Sequence, residues 1–324
     1  MTKPLQAGAP GDHSPNPSIE VAPEVAAALA AGRPVVALES TLITHGFARP
    51  RNLEVARAAE AAVRREGATP ATICVREGRL WVGLGQSALT ELARADAATK
   101  VSRQNLAHAL AGGGWGGTTV SATMIAARLA GIRVFATGGI GGVHRGAART
   151  FDVSADLDEL ARTPVLVVCS GPKSILDIDL TLEILETRGV PLIALGTREL
   201  PGFYSSGSGR AAPLSVSGPD EAAAVAVRHW SLGLETGLVV AVPVPRAAAL
   251  PFEEARAAID EAIADADAQG IRGAASTPWL LARVAELTGG RSTEANVALI
   301  ENNALVAARI ARALAELTAA QPPP

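Results

Sequence analysis

The chain has 324 residues, enough for one large domain or two smaller ones, and 48% of them are hydrophobic, which suffices for a substantial core. Its 29 basic and 32 acidic residues nearly balance, so neither nucleic acid nor a membrane is an expected partner and a small molecule is. No apolar signal core and no uninterrupted run of about eighteen apolar residues occurs, which points to a soluble, cytoplasmic protein.

Residues 1–20, rich in Pro, Gly and polar side chains, read as a disordered tail, residues 21–319 as a single folded domain and residues 320–324 as a second disordered end. In chain order, strands are predicted over Val35–Leu38, Ala71–Val75, Arg133–Ala136, Pro164–Cys169, Pro191–Leu195 and Gly237–Val242. Helices are predicted over Leu53–Arg65, Thr119–Leu129, Ser174–Arg188, Pro219–Leu234, Phe252–Ala268, Pro278–Leu287 and Ser292–Leu317, the last with room for a break near Asn302 and Asn303. Short apolar runs alternating with helical periods are the pattern of an α/β fold with a mostly parallel sheet. A division into two domains near residues 200–218 is the other organisation. The Gly- and Ser-rich stretch Leu200–Arg210 reads either as a surface loop or as a flap over a site. Cys74 and Cys169 sit in apolar runs without CxxC or Cys/His spacing, as reduced core residues do.

Several segments carry chemistry. Glu39 follows the first predicted strand, where α/β folds place their ligands, and a desolvated carboxyl there is suited to giving up a proton. Thr44-His45-Gly46 comes soon after it. The glycine-rich run Gly112–Thr123 leads into a helix and offers free N–H groups to an anion, yet it is neither GxGxxG nor GxxxxGK[ST]. A second glycine cluster, Thr137–Gly146, contains His144 and Arg145. Asp152, Ser154 and Asp156 share a face if extended, and Asp152 and Asp156 do so if helical. Without a His or Cys companion, such carboxylates suit Mg²⁺ or Mn²⁺ better than zinc.

Lysine usage narrows the choice further. Only Lys3, Lys100 and Lys173 are lysines among the 29 basic residues, so arginine supplies the solvated charge. A lysine kept in such a chain suits a compact point charge or a deprotonatable amine. Neutralising a free lysine costs about 4.6 kcal/mol at pH 7, a cost that burial or a neighbouring cation reduces. A neutral amine condenses with an aldehyde to an imine, which suits a sugar able to open. Pairing of Lys173 with Asp177 or Asp179 at a helix start is the competing, purely structural role.

The stretches ALESTLITHGFARPRN, ATKVSRQNLAHAL, GGTTVSATM, FATGGIGGVHRGA, FDVSADLDEL, CSGPKSILDI and ENNALVAARIA together resemble the pseudouridine-5'-phosphate glycosidase family, which includes the indigoidine synthase A-like proteins. They run in order from about residue 35 to about residue 310 and cover nearly the whole folded chain. The resemblance implies a three-layer α/β/α sandwich and reversible cleavage of the C–C glycosidic bond of pseudouridine 5'-phosphate to uracil and ribose 5-phosphate, with consumption of water, an activity classed among the lyases. It also implies a lysine imine at C1' of the opened ribose, a divalent ion, typically Mn²⁺ with Mg²⁺ or another ion possible, and a homotrimer. Motif by motif, Lys173 becomes the nucleophile, Glu39 the proton donor and Asp152 the metal ligand. Ser154, Ala155 and Asp156 line the substrate, Lys100 and Val120 contact it, and Thr137, His144 and Asn296 carry over as further contacts.

Two features depart from the family pattern: Pro172 stands where a small residue is commoner, and no basic residue directly precedes Thr277-Pro278. The alternatives are the same chemistry on another C-nucleotide or sugar phosphate, or a non-catalytic nucleotide-binding protein on this scaffold. A binder has no need of a reactive amine. A nicotinamide dehydrogenase is disfavoured because neither glycine loop carries the dinucleotide fingerprint.

Overall fold

The computed structural model describes residues 18–271, 273 and 276–320. In chain order the first half runs β1 (Ile19–Val21), α1 (Pro23–Ala30), β2 (Val35–Leu38), a π-helical turn (Leu42–Gly46), α2 (Arg51–Arg65), β3 (Thr69–Arg76), β4 (Arg79–Val82), α3 (Gln86–Arg94), β5 (Thr99–Val101), a 3₁₀ turn (Arg103–Asn105), α4 (Leu106–Gly112), β6 (Gly116–Thr118) and α5 (Val120–Ala130). The second half runs β7 (Val134–Ala136), β8 (Val143–His144), α6 (Ala147–Thr150), α7 (Ala155–Leu160), β9 (Leu166–Cys169), β10 (Leu176–Asp177), α8 (Ile178–Thr187), β11 (Leu192–Leu195), β12 (Leu214–Val216), α9 (Pro219–Ser231), β13 (Leu238–Ala241), α10 (Phe252–Ala268), α11 (Ser276–Leu287) and α12 (Arg291–Ala319).

The main sheet has the order β1-β4-β3-β2-β7-β9-β13-β11-β12, with β6 pairing β3 and β5 pairing β6. From β3 across to β12 the neighbours are parallel, while β4 and β6 run antiparallel to β3. Every residue of β2, β9 and β13 is buried, as expected for strands covered on both faces. The pleat sends alternate residues to opposite sides. Val36, Leu38, Leu166, Val168, Leu238 and Val240 join one core with α2, α9, α10, α11 and α12, whereas Val35, Ala37, Val167, Cys169, Val239 and Ala241 join the other with α1, α5, α7 and α8. The result is the expected α/β/α sandwich around a mixed sheet.

Several expected boundaries shift. Ile19 and Glu20, assigned to the N-terminal tail, lie in β1 and pair with Leu80 and Trp81, while residues 1–17 and 321–324 lie outside the described residues. The helix expected from Ser174 starts at Ile178, because Leu176 and Asp177 first pair with β8 and the Asp177 carboxylate then accepts the Leu180 N–H as its cap at 3.1 Å. The helix expected from Pro219 to Leu234 ends at Ser231. No break occurs at Asn302 and Asn303: α12 is continuous, and Asn303 is fully buried within it.

The stretch Leu200–Arg210 is packed onto the domain, and Phe203 within it borders the cavity that Glu39 and Lys173 line. Leu200, Phe203 and Tyr204 are buried, Leu250 N–H donates to the Tyr204 carbonyl at 2.8 Å, and the Glu199 carboxylate accepts the Gly209 N–H at 2.6 Å. Phe203 and Tyr204 stack edge to face with centroids 4.8 Å apart.

Candidate active site

β2, β7 and β9 are adjacent and parallel, so their C-terminal ends deliver three chain segments to one place. Glu39 is the first residue after β2, and its carboxylate accepts a hydrogen bond from the hydroxyl of Thr137, the first residue after β7. The segment after β9 carries Lys173. It stays paired with the segment after β7 beyond the end of the sheet: Ser170 N–H donates to Gly138 O at 2.9 Å, Ile140 N–H to Gly171 O at 3.2 Å and Lys173 N–H to Ile140 O at 3.1 Å. Pro172 sits opposite Ile140 in this parallel bridge, where the bonds use the Gly171 carbonyl and the Lys173 N–H and none is asked of residue 172. Its departure from the family pattern therefore leaves the pairing intact. The same ladder turns the lysine inward, and Nζ donates to the Gly139 carbonyl at 2.8 Å.

Residues 152–154 are extended. Val153 bridges Val143, His144 N–H donates to Asp152 O at 3.0 Å and Ser154 N–H to Gly142 O at 2.9 Å. Asp152 and Ser154 thus share a face, and the helix begins only at Ala155, with the Ser154 hydroxyl accepting the Asp156 N–H at 3.2 Å as N-cap. Asp156 is 6% exposed, and both of its oxygens are taken: one accepts Ser121 N–H at 3.0 Å, the other Gly141 N–H at 2.8 Å. It clamps the start of α5 to the second glycine loop. The fit is close enough that a Cβ at Gly141 would lie 2.7 Å from the Asp156 carboxylate, so only glycine is accommodated there.

A cavity of about 470 Å³ gathers Glu39, Lys100, Val120, His144, Asp152, Ser154, Ala155, Asp156, Lys173 and Asn296. Of the residues expected from the sequence, Thr137 alone stands behind the wall, acting through Glu39. Lys100, on β5, has its backbone carbonyl held by the Asn105 amide at 3.0 Å. Val120 opens α5, and Asn296 comes from α12. Thr277 and Pro278 also line the cavity, while Ala274 and Ala275 of the stretch lacking the expected basic residue lie outside the described residues.

Among the lining residues given no role from the sequence are His45 and Phe203. His45 lies in the π-helical turn with Nδ1 2.7 Å from the Thr44 hydroxyl. The Thr44-His45-Gly46 run was its only signal. Phe203 adopts a left-handed backbone (φ 65°) and brings its ring against Gly139, where a Cβ would lie 2.6 Å from it. A loop-rich sequence carried no mark of that contact.

The electrostatics separate the groups. Burial raises the Glu39 pKa above its ordinary 4.5; the charge of Lys173, the Thr137 hydrogen bond and Lys100 draw it back, and Asp156 adds to the rise. What surface Glu39 keeps opens into the cavity. The Lys100 pKa is lowered, by burial first and then by Lys173, against the opposing pull of Asp156 and Glu39. His144 and His45 are both lowered, chiefly by burial; Asp152 opposes the change at His144, and Lys100 reinforces it at both. The arrangement combines a carboxyl inclined to keep its proton, an amine across from it, and a polar pocket with a separate positive charge.

For a divalent ion, the structure offers one carboxylate. Among the described residues no group of three or more His, Cys, Asp or Glu is gathered for a metal, and Asp156 has both oxygens engaged. Among the described residues Asp152 has no side-chain hydrogen bond, and it faces the cavity. A single carboxylate fits an ion that keeps most of its waters, as Mg²⁺ and Mn²⁺ do, and not a closed zinc site.

Known proteins resemble this chain in sequence and in fold. The family model for indigoidine synthase A like protein matches residues 24–313. A pseudouridine-5'-phosphate glycosidase of Deinococcus radiodurans is 56% identical over 299 residues, 92% of this chain and 96% of that one. One from Paracoccus denitrificans is 56% identical over 301 residues, 92% of this chain and 99% of the relative. Among solved structures, the prealnumycin C-glycosynthase AlnA, in complex with ribulose 5-phosphate, superposes with a TM-score of 0.88 at 40% identity, covering 95% of this chain and all (100%) of that one. An indigoidine synthase A-like protein from Thermotoga maritima gives a TM-score of 0.83 at 35% identity over 92% of this chain and 96% of that one. With its fold, its cavity and a match running from the first helix to the last, the chain belongs to the indigoidine synthase A-like family.

Proposed function

We propose that the protein is a pseudouridine-5'-phosphate glycosidase, making and breaking the C–C bond between C1' of ribose 5-phosphate and C5 of uracil. The observation that carries this reading is that Glu39 and Lys173 meet in one cavity through a single turn, Thr137-Gly138-Gly139, which holds the acid at one end and the amine at the other. A carbon-linked base has no oxygen or nitrogen leaving atom to protonate, so the paired carboxylates of an ordinary glycosidase do not suffice. A lysine supplies what is missing.

In the cleavage direction Lys173, once its ammonium has given up a proton, forms a bond to C1'; the C1'–ring-oxygen bond breaks and the proton lost from the new C–N nitrogen leaves that oxygen as a hydroxyl. Protonation of uracil C5 then lets the C1'–C5 bond break: its electron pair stays with the base, and the nitrogen lone pair closes to an iminium at C1'. One water hydrolyses the iminium to the aldehyde of ribose 5-phosphate and frees Lys173. Glu39, with its pKa raised by burial, is the group placed to deliver a proton. Lys100, the second cation in the cavity, suits the phosphate. Ser154, Ala155, His144 and Asn296 line the remaining surface.

Asp152 would hold a Mn²⁺ or Mg²⁺ ion whose charge would orient water and carbonyl oxygens of the base. We place the enzyme in the cytoplasm as a homotrimer, in keeping with the resemblance. Cys74 and Cys169 are buried free thiols whose pKa values burial pushes up to about 12 and about 11, the inert state suited to a reducing compartment. Among the described residues no helix is long and apolar enough to cross a membrane.

AlnA, which is named for C-glycoside synthesis, favours a second reading in which the same chemistry serves a different ring. Mixing uracil and ribose 5-phosphate with Mn²⁺ and looking for pseudouridine 5'-phosphate tests both. Product with uracil supports the first reading, and product only with other nucleophilic rings supports the second.

A further inference from the structure

We propose that Asn303, in the interior of α12, is a positioning residue that sets the placement of Glu39 relative to Lys173; the inference rests on the function proposed above and deepens it.

Asn303 is 0% exposed and lies on a helix face otherwise formed by Leu299, Ile300, Val306 and Ala307. An asparagine there has poorer helix propensity than its neighbours and is costly to bury unless its amide is used. It is used fully. Nδ2 donates to the Thr137 carbonyl at 2.9 Å and lies 3.4 Å from the Gly138 carbonyl and 3.2 Å from the Ser170 hydroxyl. That hydroxyl lies 3.3 Å from Oδ1. One amide therefore grips the segment after β7 and the segment after β9 together.

These are the segments that hold the two reacting groups. Thr137, whose carbonyl Asn303 engages, donates its hydroxyl to Glu39. Ser170 begins the run that ends in Lys173, and Gly139, next to Gly138, accepts the Lys173 ammonium. Gly138 O already accepts the Ser170 N–H at 2.9 Å, so the pairing of the two segments does not by itself require a side chain from α12. What Asn303 adds is a fixed height for both segments against a rigid helix. A purely structural asparagine would alter stability alone, whereas a positioning one alters how Glu39 and Lys173 meet.

The test compares Asn303→Leu, with the same branching of side-chain heavy atoms but without donors, and Ser170→Ala with the wild-type enzyme. Steady-state kinetics of the condensation of uracil with ribose 5-phosphate, a ¹³C NMR titration of the Glu39 carboxyl without substrate, and thermal melting are measured for each. We expect Asn303→Leu to lower kcat about tenfold to a hundredfold, to leave KM within about twofold, and to displace the Glu39 midpoint. Ser170→Ala should shift both readouts in the same sense by less. Wild-type kcat and an unmoved Glu39 midpoint in Asn303→Leu, or a loss of kcat that merely tracks the unfolded fraction, would overturn the proposal. Should Asn303→Leu fail to fold, an unmoved kcat and midpoint in Ser170→Ala would overturn it. A wild-type protein without turnover would count against the proposed function, while the Glu39 titration would still judge Asn303.

Discussion

Lys173 donates its ammonium to the Gly139 carbonyl at 2.8 Å, two residues beyond the threonine that hydrogen-bonds Glu39. Acid and amine are thus referenced to one short turn, and shifting that turn moves both.

Lys173 is expected to carry the covalent intermediate. Incubation with ribose 5-phosphate and borohydride should add the mass of the reduced sugar at this residue, and Lys173→Met should abolish both trapping and turnover. Peptide mass mapping decides, and labelling elsewhere with Lys173 intact would sink the imine route.

Glu39→Gln should lower kcat by about 10²–10⁴, the range for a lost general acid. In the wild type, activity that needs protonated Glu39 falls as pH rises through its raised pKa, so that limb lies above the ordinary glutamate range. The Thr137 hydrogen bond lowers this pKa, so Thr137→Val should move the limb to still higher pH. The sign for stability follows the same direction: the Glu39 contribution is full below the unfolded value of 4.5 and is lost as pH rises through the folded one. A kcat–pH profile of each protein checks the limb and its shift, and urea midpoints measured across the same pH range check the stability.

Asp156→Asn keeps the size but turns an NH₂ donor toward one of the two backbone N–H groups that the carboxylate accepts, those of Ser121 and Gly141. The loss expected is about 1–3 kcal/mol, read from urea denaturation. Because the clamp joins the α5 start to the glycine loop, KM should rise as well. An unchanged midpoint and KM would show that the clamp is dispensable.

Gly139→Ala places a Cβ 2.6 Å from the Phe203 ring and 3.0 Å from the Gly171 carbonyl. Overpacking of this kind costs about 1–3 kcal/mol. Adding Phe203→Leu should recover part of the stability by removing the ring edge, while the Gly171 contact remains. Thermal melts of the single and double variants give the answer.

Asp152→Ala should weaken the dependence on Mn²⁺ while leaving the fold intact. Titrating the metal against activity, alongside a melting curve, tests it; an unaltered metal response would assign the ion to other groups.

The parallel heart of the fold was legible because its strands are unbroken apolar runs: Val35–Leu38 was placed to the residue, and so was the helix Phe252–Ala268. The short strands escaped for a physical reason. Val143–His144 and Leu176–Asp177 are two residues each, too brief to show a period, and exist only because the glycine loop and the Lys173 segment fold beside each other. Asn302 and Asn303 suggested a helix break because asparagine is a poor helix former, but propensity gave way to a buried amide with three partners. For the site, the lysine scarcity and the ordered motifs singled out Glu39, Lys100, Asp152 and Lys173, which line one cavity. Phe203 was invisible because its role comes from a left-handed turn and a ring that meets a glycine far away in sequence.

The unbroken α12 acts as a gauge. Asn296 at the cavity and Asn303 beneath its floor are seven residues apart, which on a helix is about 10.5 Å and nearly two full turns, so they face the same way. Inserting one residue between them would rotate one against the other by about 100°. Changes of length are therefore tolerable in the solvent-facing turns beyond Leu314 but forbidden in this interval, where spacing along one rod is what aligns wall with floor.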